Sequence, residues 1–420
     1  MADLHEAQPG AEAPPETTLA ELIARSGDLK SELVDFVQHA RFDRQLTALL
    51  REAAGTGPLD EAVLVRTIDH FALEYRLRDG GTVVEQFVAQ RRPPLTDDER
   101  AMLLGWREVV EGYFEVHPAA DDDLGTVVLH NLVDDLYYPV HSNTGPDVVA
   151  ALQPGMFVYC RIVPVHPVTG HWLISGHLLP FPSSSGPVLA QAAQEVLTAD
   201  PSLLRRNRDL YQRAWQLQAD ARASFLDFFG TDLVILPPAA AQARLIEYYR
   251  HHLARADAAT TAHDPPSSPA APHALTAEQM GRLPEDYLDA DSVGLIYDET
   301  EGLNYYQDFG RLDAMFADPA LAGDHTHIAL LRAYLDDDTV SALPLRRLAQ
   351  RHPDGVDPVF RTLLRRPRFC WHRDGEDLLR TRKKEFFQTE TAPSFTVTGR
   401  RLAELLYPHG NEDGIVIAGC

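Results

Sequence analysis

Five short runs of strand-forming residues between positions 113 and 179 constrain the fold more than any other feature of the sequence. The runs cover residues 113–117, 126–131, 136–141, 156–165 and 171–179. Groups of turn-forming residues, rich in Gly, Pro, Asn and Asp, separate them. Short strands that alternate with tight turns are typical of small, partly closed sheets. The pattern therefore predicts a small β-barrel of SH3-like or OB-like type over residues 112–182.

The segments before and after this predicted barrel show helical periodicity. Thr18 and Thr96 are each followed three residues later by a glutamate, which is the spacing of a capping box at the start of a helix. Residues 72–77 and 82–87 are two strand-like runs around a Gly-Gly turn, and they predict a β-hairpin. Beyond residue 188 apolar side chains recur at helical steps again.

The sequence predicts an α+β, multidomain protein. Residues 256–272 are rich in Pro and Ser and lack apolar anchors, so they cannot bury enough surface to become ordered. The predicted order is a disordered tail (1–17), a mostly helical region with a hairpin (18–111), the small β-barrel (112–182), a helical segment (183–255), a disordered linker (256–275), an α/β segment with a hairpin at 293–309 (276–324), a winged-helix-like module (325–390) and a C-terminal extension (391–420).

Composition excludes several classes of protein. The 62 acidic residues outnumber the 38 basic ones and give a net charge of −24, so nucleic acid cannot bind along the whole chain by counterion release. The three cysteines form no CxxC pair, and no apolar run reaches the roughly 18 residues of a membrane helix. The N-terminal residues lack the apolar core of a secretory signal. We therefore expect a cytoplasmic protein without membrane association. Of the basic residues 35 are Arg and 3 are Lys, which fits a GC-rich bacterial genome.

A basic island lies within this acidic chain. Residues 346–384 contain 12 basic and 5 acidic residues. Periodicity predicts helices over 325–335 and 344–352, and a third helix that begins at Asp357-Pro358. The Asp-Gly pair at 374–375, between two strand-like runs, predicts a hairpin. Three helices followed by a hairpin are the order of a winged helix-turn-helix.

The basic face of this module is the predicted partner-binding surface. Its third helix would enter a groove of the partner, while cations of the hairpin would contact phosphates. The residues assigned to the surface are Arg361, Thr362, Arg365, Arg366, Arg373, Arg380, Arg382, Lys383 and Lys384. Because winged helices bind proteins as well as DNA, the sequence leaves open which of the two is the acidic partner. The favoured function is that of a non-enzymatic binding or adaptor protein.

Two other functions stay open. One is an enzyme with a site between the barrel and the helices, using His171, His177 or the acids of residues 289–301. The other is a structural subunit of a larger complex, which would expose an apolar patch. His171 and His177 on one strand would lie about 20 Å apart, too far to share an ion. His166 and His171 could meet across a turn, but the sequence indicates no third ligand. No catalytic, cofactor-binding or metal-binding residue is assigned.

Scattered apolar and turn positions carry a resemblance to a known group of proteins. They fall within residues 82–87, 95–106, 113–116, 152–155, 161–164, 172–176 and 224–232. Over about residues 70–235 the chain resembles uncharacterised bacterial proteins related to those with a cysteine-rich SEC-C zinc motif. The zinc motif itself is absent here, so the resemblance implies neither a metal site nor an activity.

Overall fold

The computed structural model describes residues 17–55, 60–119, 124–145, 147–261, 276–407 and 416–418. The protein is α+β, and it divides into two compact units. Of the described residues, those up to Leu197 and 398–407 form the first unit, and 198–397 and 416–418 form the second. The division falls inside the predicted helical segment 183–255, not in the predicted linker.

The described helices are α1 (Leu19–Val37), α2 (Asp43–Ala54), α3 (Glu61–Leu73), α4 (Val83–Gln90), α5 (Asp97–Gly105), α6 (Asp147–Ala150), α7 (Gly186–Ala199), α8 (Arg208–Phe229), α9 (Pro238–Thr261), α10 (Ala277–Met280), α11 (Glu285–Leu288), α12 (Phe309–Ala317), α13 (His325–Asp336), α14 (Leu343–Arg351), α15 (Pro353–Leu364), α16 (Glu376–Arg382), α17 (Lys384–Gln388) and α18 (Arg400–Leu406). The described strands are β1 (Val110–His117), β2 (Val127–Asn131), β3 (Tyr137–His141), β4 (Phe157–Pro164), β5 (Trp172–Phe181), β6 (Leu233–Leu236), β7 (Val293–Asp298), β8 (Gly302–Gln307), β9 (Phe395–Val397) and β10 (Val416–Ala418).

Capping boxes begin α1 and α5, as predicted. The hydroxyl of Thr18 accepts a hydrogen bond from the backbone N–H of Glu21, whose carboxylate accepts one from the backbone of Thr18. Thr96 and Glu99 make the same exchange. Each box satisfies N–H groups that have no partner inside the helix, and both predicted helix starts are confirmed.

The hairpin predicted from residues 72–77 and 82–87 is wrong. Thr82 and Glu85 form a third capping box, which begins α4 where the second strand was expected. The first predicted strand covers the end of α3 and the turn after it. The Thr-x-x-Glu signal at the start of α4 therefore prevails over the strand preference of its valines.

The five-stranded sheet of the first unit consists of β1 to β5, and it confirms the five predicted strands. The hydrogen-bonded order is β1-β2-β3-β5-β4, and β4 also pairs with β1, so the ring of pairings closes on itself. Strands β3 and β5 pair in parallel and the other described pairs of this sheet are antiparallel, which makes the sheet mixed. The SH3-like or OB-like type of this sheet stays a prediction.

A helical layer in the first unit shares a core with this sheet. Leu29 on α1, Phe71 on α3 and Trp106 after α5 are buried together with Val163 of β4 and Leu173 of β5. Burial of apolar surface stabilises a folded protein by roughly 25 cal/mol for each Å² removed from water. This shared core therefore holds the helices against one side of the sheet.

Buried charges also join the helical layer to the sheet. Arg161 on β4 is only 4% exposed. Its Nε donates to Oδ2 of Asp69 on α3 at 2.7 Å, and its Nη2 donates to Oε2 of Glu74 at 2.6 Å. Its Nη1 donates to Glu111 on β1. Three carboxylates thus compensate one buried guanidinium, as a charge removed from water requires.

Asp69 is the centre of this charge group. It is 3% exposed, and besides Arg161 it accepts from Lys30 on α1 and from the hydroxyl of Ser175 on β5. Burial raises the pKa of the carboxyl, but the neighbouring charges of Lys30 and Arg161 outweigh burial and lower the pKa of Asp69 to about 2. One ionised carboxylate therefore ties α1, α3, β4 and β5 together.

The second unit contains an antiparallel three-stranded sheet in the order β6-β7-β8. Strands β7 and β8 confirm the hairpin predicted at 293–309. Phe225 of α8 and both Leu245 and Tyr248 of α9 pack in the core of this sheet. Strand β6 is an exception within the predicted helical segment 183–255, because its four apolar residues pair with β7 instead of continuing a helix.

The predicted disordered linker is wrong at its start. Helix α9 extends to Thr261 and so includes residues 256–261. Residues 262–275 lie outside the described part of the chain, as do residues 1–16 of the predicted tail. The Ala-rich sequence between Leu253 and Thr261 favours continuation of the helix over a break.

The C-terminal helices of the second unit share another core, formed mainly by α12 to α16. Helices α13 and α14 confirm the predicted helices at 325–335 and 344–352. Helix α15 begins at Pro353, whereas its predicted start was Asp357. Gly355 permits the extra turn, since a Cβ at this position would lie 1.8 Å from the carbonyl oxygen of Phe316.

The predicted winged-helix-like module at 325–390 is wrong in its wing. The residues expected to form a hairpin are described throughout, and they form a π-helical turn, Trp371–Gly375, followed by α16 and α17. Gly375 has ordinary helical φ and ψ angles. A Cβ on it would lie 2.7 Å from the ring of Trp371, so this glycine provides close packing and not a hairpin turn.

The charges of α16 explain why a helix replaces the hairpin. Glu376 and Asp377 lie in its first turn, and Arg380 and Arg382 lie in its last turn. This order of charges complements the helix dipole. Leu379 is fully buried in the core on the inner side of the helix.

Among the described residues, every helix is too short or too polar to cross a membrane.

We predict that Arg161→Met lowers the free energy of unfolding of the first unit by about 3–5 kcal/mol, because it leaves buried carboxylates without their cation. Urea denaturation followed by hydrogen exchange of the β4 and β5 amides measures this loss. Arg66→Met is the matched control, since Arg66 also contacts Glu111 but is 57% exposed at its side chain, and it should cost less than about 1 kcal/mol. Equal losses in both variants would contradict the assigned role of Arg161.

We also predict a pH dependence that comes from Asp69. Its pKa is about 2 in the folded chain and about 3.9 when unfolded, so its contribution of about 2–3 kcal/mol is present above pH 4 and is lost as the pH falls toward 2. In Asp69→Asn the free energy of unfolding should fall less steeply between pH 4 and pH 2 than in the wild type. Equal slopes in the two proteins would exclude a depressed pKa at Asp69.

Candidate functional site

A groove of about 860 Å³ in the second unit lies among the end of α15, the loop that follows it, and α16. Its volume is in the range of about 300–1,000 Å³ that is common for binding sites. Arginine dominates the lining. The lining residues are Leu364, Arg365, Arg366, Pro367, Arg368, Phe369, Arg373, Asp374, Asp377, Leu378, Thr381 and Arg382. We call this feature the arginine groove.

The C-terminal end of α15 positions the first two arginines. The backbone N–H of Arg366 donates to the carbonyl of Arg361, and that of Arg365 donates to the carbonyl of Thr362. These two bonds are the pattern of a Schellman motif, and Pro367 then prevents the helix from continuing. Arg365 and Arg366 are both exposed at the point where the chain turns away from the helix.

Arg365 adopts a backbone conformation that usually belongs to glycine. Its φ is +53° and its ψ is 39°, in the left-handed region. For a residue with a Cβ this conformation costs roughly 1–2 kcal/mol. Glycine would end α15 without this cost. The chain therefore keeps a long cation at a position where the backbone alone favours glycine.

The arginines of the groove differ in how far carboxylates neutralise them. Arg373 donates to both carboxylate oxygens of Asp374, and Nη1 of Arg382 lies 2.8 Å from Oδ1 of Asp336. Arg365, Arg366 and Arg368 are exposed and have no ion-pair partner among the described residues. These last three are therefore the cations most available to a partner.

The Arg373–Asp374 pair fixes the edge of the groove. The hydrogen bonds from Arg373 and from the backbone N–H of Cys370 lower the pKa of Asp374 to about 2. The same pair raises the pKa of Arg373. Arg373 also donates to the carbonyl of Arg368, and Asp374 accepts from the backbone N–H of Cys370, so the two side chains connect the π-helical turn to the loop before it.

The predicted partner-binding residues divide into two sets. Arg365, Arg366, Arg373 and Arg382 line the groove. The other five do not line it. Arg361 is bound to Asp357 and to the carbonyl of Phe369, Thr362 donates to the carbonyl of Pro358, and Arg380 pairs with Glu376. Lys383 is 2% exposed and its Nζ donates to the carbonyl of Asp337, whereas Lys384 is exposed beyond the end of α16.

Lys383 is the clearest correction within the predicted surface. The hairpin would have presented it to phosphates, but the turn between α16 and α17 directs its side chain inward. Burial lowers the pKa of its ammonium group, against the opposing influence of Asp337. This lysine holds the preceding loop through a backbone carbonyl and is not accessible to a partner.

Arg368 lines the groove but was not among the predicted residues. The run Arg365-Arg-Pro-Arg368 contained the signal for it, because the proline that ends the helix keeps all three arginines close together. Asp374 and Asp377 were assigned to a hairpin and its flank, so their places in the lining were missed as well. Their acidic side chains reduce the five positive charges of the lining to a net charge of +3.

His166, His171, His177, Cys160 and Cys370 lie outside the groove. His171 contacts His141, with 2.9 Å between Nδ1 and Nε2, and His166 is buried in the same unit. Cys370 is half-buried at the start of the π-helical turn. Among the described residues, no group of three metal-ligating side chains lies in the groove. The net charge of +3 on the lining favours anions over metal cations.

Comparisons of the chain with family models, with curated proteins and with solved structures find no match. The resemblance to SEC-C-related proteins stays a prediction.

We predict that Arg365→Gly raises the free energy of unfolding of the second unit by about 0.5 kcal/mol. Glycine removes the cost of the left-handed conformation, and its greater freedom in the unfolded chain offsets part of the gain. Arg366→Gly is the control, because Arg366 does not have a positive φ and glycine there should lower stability. Urea denaturation read through the α15 amides distinguishes the two variants. A stability loss in Arg365→Gly equal to that of the control would be inconsistent with backbone strain at Arg365.

Proposed function

We propose that this protein is a non-enzymatic binding or adaptor protein, and that its arginine groove binds an acidic segment of a partner protein. The observation that carries the proposal is the set of Arg365, Arg366 and Arg368, which are exposed without a carboxylate partner among the described residues. The chain as a whole has a net charge of −24, so acidic groups are abundant, yet none that the structure describes forms an ion pair with these three. The proposal assumes the cytoplasmic setting predicted from the sequence.

The chemistry of the groove favours carboxylates on a flexible chain. A guanidinium group presents two parallel N–H donors to the two oxygens of a carboxylate, and such charge-assisted pairs are stronger than neutral hydrogen bonds. Leu364 and Leu378, both half-buried in the lining, offer apolar surface to the methylene groups of a glutamate. A concave site with cations at its edge and apolar side chains within it therefore suits an acidic peptide.

A protein partner is favoured over duplex DNA. The wing that would contact the DNA backbone is replaced by helix, and Arg361 of the predicted recognition helix is bound to Asp357. The excess of negative charge in the chain also repels a long polyanion more than a short acidic segment. Single-stranded nucleic acid needs exposed aromatic rings for base stacking, but Phe369, the aromatic residue of the lining, is buried.

Charge reversal at two groove arginines should weaken the binding of an acidic peptide. Fluorescence anisotropy with a labelled short polyglutamate peptide and the full chain measures the affinity at low and at physiological salt. We predict that Arg366→Glu combined with Arg368→Glu weakens binding at least tenfold, because a hydrogen bond to a charged group contributes roughly 1.5–3 kcal/mol. Binding by the wild type should also weaken as salt screens the charges.

The matched control reverses two arginines elsewhere in the same unit. Arg208 and Arg213 on α8 are exposed, and Arg208→Glu with Arg213→Glu changes the net charge by the same amount. This variant should bind the peptide nearly as well as the wild type. The proposal fails if the two double variants lose affinity equally. It also fails if duplex DNA binds the wild type more tightly than the peptide and loses affinity in the groove variant, since that result would identify a nucleic-acid site.

A further inference from the structure

A second group of polar side chains lies in the first unit, on the outer face of β1 and β2. Phe114 and Leu129 point into the core of the five-stranded sheet. Because successive side chains of a strand point to opposite faces, Glu115, His117 and His130 all point to the other face. Glu115 is paired directly with His130 across the two strands, and His117 follows Glu115 by two residues on the same face.

The ligand atoms of these three residues converge. One carboxylate oxygen of Glu115 and one ring nitrogen each of His117 and His130 lie within 4.8 Å of one another. The Nε2 of His117 is 3.5 Å from Oε2 of Glu115. Around a tetrahedral zinc ion with bonds of about 2.0–2.1 Å, neighbouring ligand atoms are about 3.3 Å apart. One pair thus already has nearly this separation, and the third atom lies within 4.8 Å of both.

The hydrogen bonding of His130 shows that this group is incomplete. His130 is 3% exposed, and neither of its ring nitrogens has a hydrogen-bond partner among the described residues. Its Nε2 lies 2.9 Å from Oδ1 of Asp135, but the two atoms are not aligned as a hydrogen bond, and that oxygen is also buried without a partner. The buried Nε2 of His117 is unsatisfied as well. Buried polar atoms without partners are rare in folded proteins and require an explanation.

The surroundings hold these residues in place. The ring of His130 stacks on Tyr137 with 4.1 Å between the ring centroids. Arg401 on α18 donates to both carboxylate oxygens of Glu115 at 2.6 and 2.8 Å. Each carboxylate oxygen has two lone pairs, so Glu115 can accept from Arg401 and still bind a cation. Hydrogen bonds of this kind orient the ligands of metal sites.

We propose that Glu115, His117 and His130 bind a divalent transition metal of the zinc class. Two imidazole nitrogens and one carboxylate oxygen are a ligand set that zinc accepts, with a fourth position left open. Asp135 lies beside His130 and can complete the site directly or through water. The side chain of His117 is 30% exposed, so the group lies close to the protein surface. The site is separate from the arginine groove, so neither proposal depends on the other.

Metal binding to the full chain tests the proposal. After the protein is stripped with a chelator and dialysed, competition with a chromophoric chelator measures its affinity for Zn²⁺, and the visible absorption of added Co²⁺ reports the ligand geometry. We expect one tightly bound ion per chain and a tetrahedral Co²⁺ spectrum. His130→Ala and His117→Gln should each weaken Zn²⁺ binding at least tenfold and remove the Co²⁺ bands. His117→Gln affects a more exposed side chain, so it tests the site even if His130→Ala impairs folding.

Two histidines of the same unit provide controls. His177→Ala removes an imidazole of β5, and His171→Ala removes one member of the His141–His171 pair. Both variants should keep the affinity and the Co²⁺ spectrum of the wild type. The proposal is overturned if the stripped protein takes up no stoichiometric Zn²⁺, or if His171→Ala abolishes binding while His117→Gln and His130→Ala leave it intact.

Discussion

The ion pair between Arg161 and Asp69 is the interaction on which the first unit most depends. It lies where the helical layer meets the five-stranded sheet, and both side chains are almost completely buried. A buried charge is tolerated only when opposite charges and hydrogen bonds replace the water it has lost. Lys30 and Ser175 provide this for Asp69, and Glu74 and Glu111 provide it for Arg161. The requirement that all of these groups meet specifies how α1 and α3 pack against β4 and β5.

The second unit uses arginine in the opposite way. Arg161 is buried among three carboxylates, whereas Arg365, Arg366 and Arg368 are exposed around a groove without an ion-pair partner among the described residues. Arg365 even occupies a left-handed position that glycine would fill at lower cost. An arrangement that accepts local strain and leaves like charges side by side does not increase stability. Binding of these three arginines to a partner outside this chain would explain the arrangement.

Local signals explain which parts of the fold could be predicted. The five strands of the first unit and the hairpin at 293–309 were predictable because alternation and turns lie within each segment. The hairpins at 72–87 and 368–382 were wrong because Thr82 and Gly375 each suit more than one structure. Position 375 needs a glycine because a Cβ there would collide with the ring of Trp371. The periodicity of the sequence does not reveal this contact.

The two candidate sites differ in how far the sequence could indicate them. The arginine groove was predicted in part, since the basic residues were evident. Their separation into groove-lining and internally bonded residues required the positions of the helix ends. The group of Glu115, His117 and His130 depends on the register of β1 and β2, and no spacing in the sequence indicates it.

Hydrogen–deuterium exchange of the full chain, with and without a polyglutamate peptide, tests most directly whether the arginine groove is a docking site for acidic segments. The amides of Arg365, Arg366 and Cys370 in the loop between α15 and the π-helical turn are hydrogen-bonded within the chain, so local opening sets their exchange rate in the free protein. The account predicts that the peptide slows exchange in residues 364–382 and leaves the first unit unchanged. Protection that appears only elsewhere, or no protection at peptide concentrations that saturate binding, would contradict it.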